Sequence, residues 1–190
     1  MGTRTQRTVL AKTPPQSYIL GEIVLQFTRD EIGRTHEDAL TQGLISDHLG
    51  EIQDLPFESS LNLAVYARLE QTGNLQVFTI RDGDRLAGYS AYVTSEVPAV
   101  KDEVRAHQEH LFIHPDYRKG FLPIAFMRWC DDQLFSMGCK LIITEVPYGG
   151  RDFGPVLKRL HYRPLSTLYA RRAEWDQEQV EVAGTSGNTH

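Results

Sequence analysis

The sequence predicts an α/β (α+β) chain: a mixed, mostly antiparallel sheet of about six to seven strands with helices on both faces. Three patterns carry this expectation. Residues 75–80 and 86–93 alternate apolar and polar side chains on either side of Asp82-Gly83-Asp84, the mark of a β-hairpin. Residues 30–49, 59–71 and 122–137 space their apolar side chains at helical intervals. Finally, the strand-like stretch 107–113 runs through a polar turn directly into the third of those helices. That helix stops at Gly138, ahead of an apolar run at 140–146.

In chain order, 18–27 (YILGEIVLQF) reads as one strand. A helix over 30–49 presents Ile32, Ala39, Leu40, Leu44, Ile45 and either His48 or Leu49 on one face. A second helix over 59–71 ends before Gly73. The hairpin strands 75–80 and 86–93 follow, the second with Ala87, Tyr89, Ala91 and Val93 on its apolar side. A charged loop containing Pro98 is expected over 96–106, then the strand 107–113. The helix after it carries Leu122, Phe126, Trp129, Cys130, Leu134 and Met137 at helical spacing. Residues 140–146 (KLIITEV) read as a buried strand, 153–160 as a short helix and 165–171 as a last strand. Residues 1–17, polar and containing Pro14-Pro15, are expected as a flexible leader. Residues 174–190, acidic and then small and polar, are expected as a disordered tail. The folded domain is placed at 18–173.

Composition narrows the function classes. A chain of 190 residues with 41% hydrophobic and 24% charged residues can bury one sizeable core. A net charge of −5 disfavours coating nucleic acid or an anionic membrane. No apolar run approaches the roughly 20 residues that span a bilayer. The N-terminus has no apolar stretch of signal-peptide length. Cys130 and Cys139 lie within and just after one predicted helix, about two and a half turns apart, too far for an easy disulfide, and have no metal-ligand spacing. Reduced thiols and a cytoplasmic location are the expectation, and no metal site is expected.

Residues 111–129, LFIHPDYRKGFLPIAFMRW, carry the most chemistry. A strand feeding a glycine turn that opens a helix leaves backbone N–H groups free at a helix N-terminus, where they and the helix dipole favour an anion. Arg118 and Lys119 stand beside it.

That segment, in this order of elements, resembles the GNAT superfamily of acyl-CoA-dependent N-acyltransferases. His114-Pro115-Asp116-Tyr117-Arg118 looks like the family's V-x-P-x-Y-R lead-in, and Arg118-Lys119-Gly120 sits where the family has its R/Q-x-x-G-x-G/A pyrophosphate loop. Gly138 and KLIITEV match the end of the family's central helix and its next strand. Leu160-His161-Tyr162 sits at the family's Leu-Gly-Phe/Tyr turn. The resemblance covers about residues 18–172. Compact members with Tyr-Arg-Lys-Gly in this place look like phage-encoded ones. The chain departs from the pattern at Phe121 and Pro123, which occupy the glycine positions in strict register, while its one loop glycine, Gly120, comes a residue early. Proline is comfortable in a helix's first turn but brings no N–H.

The resemblance implies acetyl-CoA as co-substrate. Main chain of the strand end at Phe112 and Ile113 would hold the pantetheine arm, and Arg118, Lys119, Gly120, Phe121 and Leu122 the pyrophosphate. It also implies a base on the strand before the loop. Glu109 is preferred there, with His107 next; His110 points away from them if the strand is regular, unless a bulge intervenes. The family's acid tyrosine would fall at Leu157, which cannot serve, so Tyr148 is the replacement, with Tyr169 behind it. The acceptor would be an amine of a small molecule or a protein, and dimerisation, common in the family, is left open. Two other readings compete: a binding or structural protein with a degenerate cofactor turn, and a GNAT-fold enzyme acting on a nucleobase.

Overall fold

The computed structural model describes residues 15–51, 61–146 and 153–169. The tail expected over 174–190, and the leader apart from residues 15–17, lie outside the described residues. Six strands form one sheet in the order β1 (Gln16–Leu20), β2 (Ile23–Asp30), β3 (Leu75–Asp82), β4 (Arg85–Glu96), β5 (Val104–Ile113) and β6 (Cys139–Ile143). All neighbours are antiparallel except β5 and β6, which run parallel. The sheet is therefore mixed and mostly antiparallel, as the patterning predicts.

The helices are α1 (Ile32–Thr41), α2 (Leu44–Glu51), α3 (Leu63–Gln71), α4 (Leu122–Ser136) and α5 (Gly154–Arg159). One face of the sheet is closed by α4, whose Leu122, Phe126, Trp129, Cys130 and Leu134 pack with Leu25, Phe27, Phe78, Ile80 and Tyr92. The rings of Phe27, Phe78, Phe126 and Trp129 meet at centroid distances of 5.4–6.4 Å. Burial of such large aromatics dominates core energetics. On the opposite face Ile32 packs with Leu75, Val77 and Ala91, and Ala39 and Leu44 pack with Leu86 and Phe112. No helix among the described residues is long and apolar enough to cross a membrane.

Several boundaries differ from the sequence expectation. The single strand expected over 18–27 is a hairpin: Leu20 pairs with Ile23 around Gly21-Glu22, and Gly21 adopts φ +62°. Apolar residues flank the turn closely enough to read as one strand, but a two-residue hairpin turn needs the positive φ that glycine supplies. The helix expected over 30–49 breaks into α1 and α2 at Gly43, φ +77°. The break resets the helical phase, so Leu40 is 61% exposed instead of joining the face of Ala39 and Leu44. The helix expected over 59–71 begins only at Leu63, with Asn62 Oδ1 accepting from the Val65 N–H at 3.3 Å; positions 59–60 lie outside the described residues.

The loop expected over 96–106 is shorter than those bounds, with Glu96 and residues 104–106 in strand. β4 and β5 continue in register to Glu96↔Val104, leaving a connection of 97–103. Charged residues on the solvent side hide the alternation there. The strand expected over 140–146 ends at Ile143 and is half-buried rather than buried beyond Cys139. The strand expected from 165 does not form in the described residues 165–169. His161 stands at φ +66°, a left-handed conformation uncommon for residues other than glycine.

Gly88 on β4 pairs with Ile113 at the end of β5, and a Cβ on it would stand 2.9 Å from the Phe112 carbonyl oxygen and 3.2 Å from the Ile113 Cα. These are backbone atoms, so β5 itself must move. Gly88→Ala is expected to lower the unfolding free energy by about 1–3 kcal/mol. A urea midpoint equal to that of the parent protein would contradict this packing.

Candidate active site

β5 and β6 pair only from Val104↔Cys139 to His107↔Ile143. Past that point the strands part. From Gln108 to Ile113, β5 keeps β4 on one edge and has no strand on the other among the described residues. A side-chain bond marks the vertex of this fork: Thr144 Oγ1 donates to Gln108 Oε1 at 3.1 Å. The buried Gln108 amide donates in turn to Ser90 Oγ and to the Tyr92 hydroxyl, both at 2.9 Å. Gln108 is thereby locked toward α4.

The register with β4 slips at the same place. Ala91 faces His110 while Tyr92 faces Gln108, so Glu109 is an extra residue on β5. A bulge of this kind re-aims the side chains that follow it. It puts His107, Glu109 and His110 on the face of α1–α3, whereas an unbroken strand would send His110 to the α4 side.

Two sets of polar groups result. His107 is bracketed by carboxylates: its Nδ1 lies 3.1 Å from Glu109 Oε1 and its Nε2 3.0 Å from Glu145 Oε1. Glu145 lies just past β6, where the strand has left β5. Deeper in, His110 Nε2 meets the Tyr66 hydroxyl of α3 at 3.1 Å, and His48 Nδ1 of α2 meets the Tyr89 hydroxyl of β4 at 2.8 Å. The His48 ring stacks on Phe112 at 5.1 Å and stands edge-on to His110 at 6.1 Å.

Burial sets the charge of this inner set. His48 is pushed down to about 4, first by burial and then by the neighbouring His110 and Arg118, which outweigh Glu51. His110 is also lowered by burial, against the pull of Glu109. Tyr66 is pushed up to about 12 by burial and by Glu109, and Tyr89 is raised by burial. Near neutral pH the four rings therefore form an uncharged, hydrogen-bonding wall.

The turn after β5 stands next to this wall. His114 continues the ladder through its N–H to the Ala87 carbonyl, and residues 115–117 make a short helical turn with Tyr117 buried. The Tyr117 hydroxyl donates to Asp82 Oδ2 at 2.9 Å. Arg118 folds inward. One terminal nitrogen reaches both carboxylate oxygens of Glu51 at 2.7 and 2.8 Å, its Nε donates to the Ile113 carbonyl, and its guanidinium covers the Phe112 ring at 5.2 Å. Lys119, Gly120 and Phe121 are exposed, Phe121 at 69%. Leu122 opens α4 and is buried. Among the described residues no acceptor faces the N–H of Gly120, Phe121 or Ile124. A Cβ on Gly120 would meet nothing within 4 Å, so an anion can approach this backbone. Pro123 removes one donor but leaves the others. The turn thus fits a pyrophosphate through backbone donors and Lys119, while Arg118 is committed to Glu51.

The sequence-derived candidates are therefore distributed unevenly. Glu109 and His107 meet at the fork. Phe112 and Ile113 supply main chain at the end of β5, with their side chains buried. Tyr148 lies outside the described residues, and Tyr169 is 89% exposed. Sequence reasoning missed Glu145, Glu51, Tyr66 and Tyr89, and took His48 for a core position. The one available signal for Glu145 was a carboxylate ending an apolar strand.

No protein-family model matches the sequence, and no curated protein matches it significantly. Solved structures do match in fold. Glucosamine-6-phosphate N-acetyltransferase from Arabidopsis thaliana superposes with a TM-score of 0.59 at 12% identity, covering 78% of this chain and 98% of that one. A predicted acetyltransferase with acetyl-CoA from Clostridium acetobutylicum gives 0.58 at 9% identity, covering 80% and 97%. A transcriptional regulator from Bacillus halodurans C-125 gives 0.61 at 14% identity, covering 78% and 99%. The chain therefore has the GNAT acetyltransferase fold.

The lowered His48 gives the fold a defined acid sensitivity. Its folded value of about 4 lies below the unfolded value, so between about pH 4 and 6.5 the unfolded chain binds more protons. Stability should therefore fall as pH drops through that window, by on the order of 2 kcal/mol. Urea titrations at stepped pH should show the loss, and His48→Phe should flatten it. An equal slope in the variant would count against burial of His48 as the cause.

Proposed function

We propose that the protein moves an acetyl group from acetyl-CoA to an amine of a small molecule or protein by direct attack of the amine on the thioester. One observation carries this reading: the β5–β6 fork opens beside the free N-terminal donors of α4, with a titratable cluster at its vertex. The edge of 108–113, which has no strand beside it among the described residues, can hold an extended amide-bearing arm by main-chain bonds, as an added strand would. The turn at Lys119-Gly120-Phe121 is where the phosphates would lie. The reacting carbon then falls near Glu109.

The chain's own contribution follows from these positions. Backbone donors on β5 can stabilise the oxyanion that forms when nitrogen adds to the thioester carbon. An ammonium must lose a proton before it attacks, and Glu109, with one oxygen on His107 and the other without a partner among the described residues, is a base in reach. The uncharged wall of His48, Tyr66, Tyr89 and His110 faces the acceptor side and orients it without competing for that proton. Positioning accounts for most of the remaining rate.

Incubation with acetyl-CoA is expected to raise the melting temperature, and thiol release is expected with at least one member of an amine panel. Glu109→Ala should lower that release by about 100-fold or more. Absence of any thermal shift at saturating acetyl-CoA would overturn the assignment. The capture of Arg118 by Glu51 favours a second reading, a binding protein whose cofactor turn is structural. It predicts stabilisation by neither acetyl-CoA nor CoA.

A further inference from the structure

Among the described residues the sheet ends at β6 on one side and at β1 on the other. β1 borders only β2, so one side of its backbone faces outward. The two-residue turn at Gly21-Glu22 fixes which groups those are. Such a turn closes on a doubly hydrogen-bonded pair, here Leu20 and Ile23, and along an antiparallel pair bonded and non-bonded positions alternate. Tyr18 and Gln16 therefore bond Leu25 and Phe27, while Ser17 and Ile19 turn their N–H and C=O groups away from β2.

This edge lacks the features by which proteins keep a strand from pairing further. Gln16-Ser17-Tyr18-Ile19-Leu20 has no charge and no proline, and its register with β2 has no bulge. One of its faces is apolar and open. Ile19 is 72% exposed and its cross-strand neighbour Val24 54%, on the face opposite Leu25 and Phe27. The rest of the strand is held in place. Tyr18 stacks on Phe27 at 5.7 Å and, with Leu20, packs against the core beneath α4. Gln26 Nε2 donates to Ser17 Oγ at 3.0 Å.

We propose that β1 is the interface of a homodimer, in which the β1 strands of two copies pair antiparallel about a two-fold axis at Tyr18. The placement of the open groups selects a second copy. Ser17 and Ile19 lie symmetrically about Tyr18, so Ser17 meets the partner's Ile19 and Ile19 meets the partner's Ser17. Each is a doubly bonded pair, and all four outward groups of β1 are satisfied. On the open face Ile19 lies diagonal to the partner's Ile19, within reach of a long side chain, and Val24 flanks it, so the apolar patch continues across the axis. Glu22, the nearest charge, sits in the turn, so the carboxylates of the two copies stand at opposite ends of the paired strands. The ladder also ends by itself: one step before Gln16, Pro15 has no N–H to give. A two-fold pairing uses the same edge on both copies, so assembly stops at two. The contact lies across the sheet from the β5–β6 fork and is independent of the chemistry proposed there.

Sedimentation velocity on the full chain, from micromolar to millimolar protein, is expected to show a reversible step from one chain to two and nothing larger. Amide hydrogen exchange reads the edge residue by residue. The N–H groups of Tyr18 and Leu20, which β2 holds, should be protected at every concentration. Those of Ser17 and Ile19 should slow by about tenfold or more only where the dimer is populated. Ile19→Lys sets a charge beside the axis, and Ser17→Pro removes an outward N–H that β2 does not use; each is expected to abolish the dimer. Ile19→Lys changes a side chain exposed in the single chain, so it is expected to keep the parent's melting temperature where the parent is monomeric. A parent that stays monomeric throughout overturns the pairing, as does association that survives both variants or that proceeds beyond two chains. Equal protection of the Ser17 and Ile19 amides at all concentrations also overturns it, since the edge is then covered within one chain.

Discussion

One extra residue in β5 sets the character of this molecule. With Glu109 inserted opposite Ala91 and Tyr92, His107, Glu109 and His110 all face the helices α1–α3, and Gln108 faces α4. Gln108 then bonds Ser90, Tyr92 and Thr144 and holds the point where β6 leaves β5. The bulge and the fork are adjacent, so the strand edge that is freed and the polar side chains that crowd it lie together. A one-residue change in the register of β5 would exchange its two faces and turn the Glu109 carboxylate to the side of Phe126 and Trp129.

Around that point the protein separates charge by depth. The exposed end of the cluster holds two carboxylates about one imidazole, and the buried end holds rings whose ionised forms are disfavoured by desolvation. Arg118 closes the cluster from the other side. Its contacts with Glu51, Phe112 and Ile113 join the end of α2 to the turn before α4. A buried or stacked arginine of this kind contributes through packing as much as through charge. The backbone N–H groups of Gly120, Phe121 and Ile124 and the exposed Lys119 are then the donors the turn leaves open among the described residues, and Pro123 removes only its own N–H from that set.

Fold similarity to acetyltransferases at 9–19% identity supports the architecture and not the acceptor. The same architecture occurs in a protein called a transcriptional regulator. What distinguishes this chain is local: the imidazole bracketed by Glu109 and Glu145, and the paired His–Tyr contacts beneath it.

The amino-acid pattern by itself determined the mixed sheet, the hairpin at Gly83, the helix over Leu122–Ser136 and the turn at Arg118-Lys119-Gly120, because alternation, helical spacing and glycine are local signals. It also singled out Glu109 and His107 as neighbours on one strand face. Only the tertiary structure decided the rest. Gly21 and Gly43 divide apolar runs that periodicity reads as continuous, since a change of backbone direction leaves no mark on spacing. The bulge depends on how β4 and β5 register, which is a property of two strands and not of either sequence. Glu145, Glu51 and His48 reach the site from segments far apart in the chain, 38 residues between His107 and Glu145 and 67 between Glu51 and Arg118. Contacts across such separations are set by packing of the whole sheet, and no local rule encodes them.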